Sequence, residues 1–180
     1  MRVLILAADG VEDMELYYPL YRMREAGIEV EVAGPRKCRL TCKHEYMVNA
    51  DLAFKDIDAG RYDALIIPGG KAPETARLDE DALRVTREMM KRGKVVGAVC
   101  HGAQVLISAG VIAGKRATSW QGVRDDVKIA GGKYEDKEVV VDGKLITSRC
   151  PDDLPAFCRE MMKALGVGTV RVQEEAVGVK

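Results

Sequence analysis

Short apolar runs alternate with helical patterns along the chain, and this alternation is the feature that most constrains the fold. Residues 3–8 form a continuous apolar run, which is typical of a strand buried on both faces of a parallel sheet. Residues 12–26 follow with apolar side chains at helical spacing, and Gly27 is expected to end that helix. Strands that alternate with helices predict an α/β fold with a mostly parallel central sheet.

The same patterns predict the other elements of a single domain. Strands are predicted at 28–32, 64–68 and 95–99, helices at 79–92, 102–109 and 152–165, and hairpins over 38–48 and between 138–142 and 145–148. The chain has 180 residues and shows no internal repeat and no linker. We therefore predict one domain over 1–166 and a C-terminal tail at 167–180, in which 170–172 is strand-like and no role is assigned.

The charges of the chain balance, with 28 Lys and Arg residues against 28 Asp and Glu residues. A net charge of zero gives no electrostatic reason to expect nucleic acid or an anionic membrane as a partner. The apolar runs are strand-sized, far shorter than the roughly 18 residues that span a bilayer. The N-terminal residues lack the pattern of a signal peptide. We expect a cytoplasmic protein with no nucleic-acid partner and no membrane partner.

The counts of cysteine and histidine restrict the chemistry further. Five cysteines, an odd number, do not suggest a secreted disulfide framework. The chain has two histidines, His44 and His101. The pattern Cys38-x3-Cys42-x-His44 lacks a fourth ligand and a standard zinc spacing, so no metal is predicted. No glycine-rich nucleotide-binding pattern occurs, so no cofactor is predicted either.

A thiol stands where the predicted strand 95–99 meets a helix rich in small residues. The segment Ala98-Val99-Cys100-His101-Gly102 has the arrangement of a nucleophile elbow. The start of a helix favours the thiolate of Cys100, which is the reactive form, and its free N–H groups are placed to hold an oxyanion. The alternative interpretation is a buried, inert cysteine that ends a core strand.

Two other strand ends bear on this thiol. The Pro-Gly-Gly turn at 68–70 allows Gly70 to present its N–H to a reacting carbonyl, although a plain tight turn explains the pattern equally well. Glu12, at the start of the first helix, either is simply stabilised by the helix dipole or shares a proton with Cys100. His101 needs an unusual turn and an orienting carboxylate to act on its neighbour, and the residues alone leave that carboxylate open.

Together these motifs resemble the ThiJ/PfpI family. The motifs are Glu12-Asp13-x-Glu15-Leu16, Ile67-Pro68-Gly69-Gly70 followed by Ala72-Pro73-Glu74, and Ala98-Val99-Cys100-His101-Gly102. Their order and spacing, over 1–166, are most similar to the PfpI-type intracellular cysteine peptidases of archaea. The resemblance implies a flavodoxin-like, three-layer α/β sandwich related to class I glutamine amidotransferase domains.

The resemblance also implies a site. Cys100 would be the nucleophile and His101 its partner, oriented by Glu74 from an adjacent subunit. The N–H groups of Gly70 and His101 would form the oxyanion hole, and Glu12 would be the carboxyl beside the sulfur. Because Glu74 would act in trans, the implied partner is the chain itself, as a homodimer or as a hexamer built from dimers.

The family resemblance leaves the activity open. The main prediction is a hydrolase that cleaves peptides through Cys100, and the alternative is a glyoxalase or deglycase that forms a hemithioacetal on the same sulfur. A stress-response chaperone or redox sensor is a further alternative, with Cys100 oxidised to the sulfinate. A glutaminase is rejected because no histidine follows His101. The expected ligand is therefore a peptide or a small carbonyl compound.

One departure from the family pattern concerns an aromatic residue. Where PfpI-type sequences tend to have Tyr-Pro, this chain has Trp120-Gln121. Trp120 keeps an aromatic wall but lacks a phenolic hydroxyl, so it cannot take a proton-transfer or substrate-binding role that depends on that hydroxyl. We expect Trp120 to pack at the rim of the pocket or at a subunit contact.

Overall fold

Seven of the strands form one central sheet in the computed structural model, which describes residues 1–168. The strands in chain order are β1 (Arg2–Leu6), β2 (Glu29–Gly34), β3 (Arg39–Thr41), β4 (Met47–Asn49), β5 (Leu52–Ala53), β6 (Ala64–Ile67), β7 (Val95–Val99), β8 (Arg116–Ala117), β9 (Lys133–Tyr134), β10 (Val139–Asp142) and β11 (Leu145–Ser148). The spatial order of the central sheet is β10-β11-β7-β6-β1-β2-β5. All neighbours in it are parallel except β10 and β11, which pair antiparallel.

The parallel strands have few polar side chains because helices cover both faces of the sheet. The helices in chain order are α1 (Asp13–Glu25), α2 (Ala72–Ala76), α3 (Glu80–Lys91), α4 (Ala103–Ser108), α5 (Arg124–Ile129) and α6 (Leu154–Ala164). One core contains Leu16 of α1 and Phe157 of α6, and the other contains Val85 of α3, Leu106 of α4 and Val127 of α5. The three layers confirm the predicted flavodoxin-like α/β sandwich.

The order of the strands also indicates where a ligand would bind. From β1 the chain continues outward to β2, whereas β6 and then β7 lie on the other side of β1. In such sheets ligands bind beyond the carboxyl ends of the strands at the point where the order reverses. Here that point lies between the carboxyl ends of β1 and β6, with β7 next to β6.

The predicted hairpin over 38–48 is confirmed by the antiparallel pair of β3 and β4. It lies over the carboxyl end of β1, because the Gly10 N–H donates to the Thr41 carbonyl at 2.8 Å. The Thr41 N–H in turn donates to Asp9 Oδ1 at 2.8 Å. The hairpin loop is therefore held close to the edge of the sheet where a ligand is expected.

The structure contains short elements that periodicity did not predict. They include the helices α2 and α5, of five and six residues, the strand β5 and the pair β8 and β9. Elements of this length contain too few turns to give a helical or alternating pattern. The strand-like segment at 170–172 lies outside the described residues. Among residues 1–168, no helix has the length and apolarity needed to cross a membrane.

Candidate active site

Cys100 lies in a strained turn between β7 and a short 3-10 helix, Cys100–Gly102, that leads into α4. Its φ is +57°, a conformation that residues other than glycine seldom adopt. The turn is close-packed, since a Cβ on Gly102 would lie 2.2 Å from the Ile67 carbonyl oxygen. Only a residue without a side chain fits there, so Gly102 permits the elbow that the sequence predicts at Cys100.

A buried carboxyl group lies beside this thiol, and it belongs to Glu15 of α1. Glu15 is fully buried, and its Oε2 accepts the Gly69 N–H at 2.6 Å. A Cβ on Gly69 would lie 2.6 Å from that oxygen and 2.8 Å from the Cβ of Cys100, so glycine lets the three groups meet. Burial raises the pKa of Glu15 to about 7, against the hydrogen bond from Gly69, which favours the charged form.

The same carboxyl group influences the ionisation of the thiol. Burial, and then the charge of Glu15, raise the pKa of Cys100 above its usual range. Hydrogen bonds from the N–H groups of His101 and Gly70 lower it. When Glu15 holds a proton its charge no longer opposes the thiolate, and a carboxylic acid is a donor to it. The ionisation of Glu15 and that of Cys100 are therefore coupled.

The prediction that Glu12 is the carboxyl beside the sulfur is not what the structure shows. The Glu12 side chain is buried but turns to the hairpin loop, where its Oε2 lies 2.9 Å from Lys43 Nζ and its Oε1 lies 3.7 Å from His44 Nδ1. Glu15 comes three residues later and occupies the predicted place. Its position beside Leu16, on the buried face of α1, was the sequence signal for a carboxyl inside the protein.

His101 is brought to the thiol by the turn. Its Nδ1 lies 3.2 Å from the Cys100 Sγ, so the turn brings together two side chains that are adjacent in sequence and that an ordinary strand or helix would keep apart. The imidazole stacks on the indole of Trp120, with ring centroids 4.6 Å apart and planes inclined by 23°. Burial lowers the pKa of His101, and the charge of Glu74 opposes that shift. The imidazole is therefore neutral near pH 7 and able to accept a proton.

Glu74 lies on α2 and is exposed. Within residues 1–168 of one chain, its side chain makes no hydrogen bond to His101. The structure places it near enough for its charge to act on the imidazole. That Glu74 orients His101 from an adjacent subunit stays a prediction.

Two backbone N–H groups favour the charged form of the Cys100 thiol, and that they form an oxyanion hole stays a prediction. They belong to Gly70 and His101, and both act on the ionisation of Cys100. Gly70 has φ +73°, and a Cβ there would lie 2.4 Å from the Gly10 carbonyl oxygen and 2.5 Å from the Glu12 nitrogen. Glycine is required both by this conformation and by this close approach.

One group of side chains has the spacing of metal ligands. Oxygen atoms of Glu12 and Asp13 and a ring nitrogen of His44 lie within 4.8 Å of one another. Lys43 Nζ binds Glu12 Oε2, and His44 Nδ1 lies 2.9 Å from Asp13 Oδ2, whereas the buried Asp13 Oδ1 has no hydrogen-bond partner among the described residues. The group ties the hairpin loop to the start of α1.

The sequence of this chain is similar to those of known proteins. Residues 1–164 match the family model described as the DJ-1/PfpI family. The chain belongs to the DJ-1/PfpI family. It is 53% identical over 165 residues to Deglycase TK1284 of Thermococcus kodakarensis and 48% identical to Deglycase PfpI of Pyrococcus furiosus. Each match covers 92% of this chain and 99% of the relative.

A solved structure shows the same fold. It is a two-domain protein of Anabaena variabilis with DJ-1/ThiJ/PfpI-like and ferritin-like domains, 40% identical and with a TM-score of 0.92. The match covers 94% of this chain and 51% of that protein. The family that the three motifs indicated is therefore confirmed, together with its archaeal PfpI-type branch.

Proposed function

We propose that this DJ-1/PfpI protein is a cysteine-dependent enzyme that converts 2-oxoaldehydes, or their adducts on proteins, to 2-hydroxy acids. This is the alternative to the peptidase that the sequence first favoured. The names of the relatives from Thermococcus and Pyrococcus, both deglycases, support it. The observation that carries it is the buried carboxyl of Glu15, whose pKa is about 7, beside the Cys100 sulfur.

The mechanism of a cysteine peptidase has no step that requires Glu15. In peptide cleavage His101 would protonate the leaving amine, and an extra carboxylate beside the sulfur would only disfavour the thiolate. Rearrangement of a 2-oxoaldehyde instead needs a group that takes a proton from one carbon and returns one to the next. A carboxyl whose pKa is near the working pH is suited to both transfers.

The residues then act as follows. The Cys100 thiolate attacks the aldehyde carbon of methylglyoxal, and the resulting oxyanion accepts the N–H groups of Gly70 and His101. Protonated Glu15 gives its proton to that oxygen and becomes a carboxylate. The carboxylate then takes the proton from the same carbon and returns it to the adjacent ketone carbon, while the hydroxyl proton moves to the ketone oxygen, which leaves a lactoyl thioester on the sulfur. Water, activated by the neutral imidazole of His101, hydrolyses the thioester to lactate and frees the thiol. The sum is methylglyoxal plus water to lactate and a proton, so no outside oxidant is needed.

We propose further that the working form is a homodimer, or a hexamer of such dimers, in which Glu74 orients His101 of the neighbouring subunit. The exposure of Glu74 supports this role, since a side chain that points to solvent is available to a second subunit. A cytoplasmic location is proposed because the five cysteines are free, as expected in a reducing compartment.

The test is a paired assay on the full chain and on Cys100→Ser. Methylglyoxal loss and lactate formation are measured together, and a fluorogenic peptide is assayed in parallel. We expect lactate in proportion to methylglyoxal consumed, peptide cleavage near background, and neither in Cys100→Ser. Peptide cleavage that depends on Cys100, without lactate formation, would establish the peptidase instead.

A further inference from the structure

Lys43 is placed at the rim of the candidate active site by its backbone. Its N–H donates to the Val11 carbonyl at 2.8 Å. Val11 in turn forms an isolated antiparallel bridge with Gly70, whose N–H points at the Cys100 sulfur. One backbone hydrogen bond and one bridge therefore connect Lys43 to Gly70, beside the nucleophile, and the hairpin loop cannot move far from the site without breaking them.

The side chain of Lys43 is held as well. Its Nζ lies 2.9 Å from Glu12 Oε2, and the Glu12 side chain is 10% exposed whereas that of Lys43 is 54% exposed. The hydrogen bond to Glu12 is the main cause of the raised pKa of Lys43, and the charges of Cys100 and Glu15 add to it. Such attraction is reciprocal, so the ammonium group favours the charged forms of Cys100 and Glu15.

The other charges around the nucleophile are mostly negative. Glu15 lies beside the thiol, Glu12 acts on Glu15, and Glu74 acts on His101. Lys43 supplies positive charge to this group, and its field also disfavours the imidazolium form of His101. Without it, the thiolate would form next to carboxylates with little to offset their repulsion.

We propose that Lys43 is a positioning residue of the active site, which uses its ammonium group, anchored on Glu12, to favour the Cys100 thiolate together with a neutral His101. This inference rests on the proposed function in one respect, because it takes Cys100 as the nucleophile. It assigns the hairpin loop a part in catalysis, since the loop carries the charge. The salt bridge to Glu12 sets where that charge stands.

The test measures the rate at which iodoacetamide alkylates Cys100 between pH 5 and pH 9, followed by mass spectrometry of the Cys100 peptide. Lys43→Met is expected to move the curve to higher pH and to lower the rate at pH 6 by about threefold to tenfold. Lys43→Arg keeps the charge and should retain the wild-type curve.

Lys37→Met is the matched control, because Lys37 is an exposed lysine of the same chain excursion, and its curve should match the wild type. In 1 M KCl the gap between Lys43→Met and wild type should narrow, since salt screens an exposed charge. A Lys43→Met curve that superimposes on the wild type overturns the proposal, and so does a Lys43→Arg curve displaced as far as Lys43→Met. Lys43→Gln, checked for fold by circular dichroism, repeats the measurement without an apolar side chain.

The two proposals fail in different ways. If Cys100 is alkylated with the expected dependence on Lys43 but the protein forms no lactate, the role of Lys43 stands and the proposed reaction is wrong. If lactate forms normally in Lys43→Met and the alkylation curve is unchanged, the reaction stands and the role of Lys43 is wrong.

Discussion

The imidazole of His101 lies against the indole of Trp120, with ring centroids 4.6 Å apart. The backbone N–H of Trp120 also donates to the Cys100 carbonyl at 3.2 Å. Trp120 thus contacts both members of the pair, one through its ring and the other through its backbone. Since Trp120 is 45% exposed, the stacking also forms part of the wall that an entering substrate meets.

Replacing Trp120 by Ala should lower kcat for methylglyoxal by about twofold to tenfold, with a smaller change in KM. Aromatic stacking contributes about 0.5–1.5 kcal/mol, and its loss leaves the His101 ring free to turn away from the sulfur. Trp120→Phe should recover most of the rate. Ile129→Ala serves as the control, because Ile129 is 85% exposed on α5. A wild-type kcat in Trp120→Ala would show that stacking does not orient the imidazole.

The buried carboxyl of Glu15 should make the stability of the protein depend on pH. Burial raises its pKa from 4.5 to about 7, so between these values the folded chain holds a proton that the unfolded chain has released. The free energy of unfolding should therefore fall as pH rises from 5 to 8, by at most about 3 kcal/mol. Urea unfolding at several pH values should show this fall in the wild type and not in Glu15→Gln.

The control for that measurement is Glu25→Gln, which removes an exposed carboxylate later in α1. Its unfolding free energy should follow the wild type across the pH range. Parallel curves for wild type and Glu15→Gln would mean that Glu15 titrates near its ordinary pKa. In that case the carboxyl would lose its suitability as a proton carrier at neutral pH.

The contrast between Glu12 and Glu15 shows how far the sequence could lead. The apolar runs predicted the buried strands, and the small residues after Cys100 predicted its elbow, because both are local patterns. Which of two carboxylates, three residues apart on α1, faces the thiol depends on how that helix docks against Gly69. The stacking of Trp120 on His101 joins distant segments in the same way. Such contacts are set by tertiary packing, which periodicity does not encode.

Gly70 should tolerate substitution far less well than Gly143, although both have positive φ, +73° and +62°. Alanine at either position is strained by roughly 1 kcal/mol. At Gly70 the new Cβ would also lie 2.4 Å from the Gly10 carbonyl oxygen, whereas nothing lies within 4 Å of one at Gly143. We expect Gly70→Ala to lower Tm several degrees more than Gly143→Ala and to abolish methylglyoxal turnover. Equal Tm values would contradict the close contact at Gly70.

If Glu74 acts across a subunit interface, two inactive variants should complement each other. Cys100→Ser lacks the nucleophile and Glu74→Ala lacks the orienting carboxylate. A mixed dimer contains one site with Cys100 and a neighbour's Glu74, so activity should return to about a quarter of wild type after subunit exchange. Half of the dimers are then mixed, and one of the two sites in each is complete. Exchange is verified by native mass spectrometry, and full exchange without recovered activity would place Glu74 outside the neighbouring site.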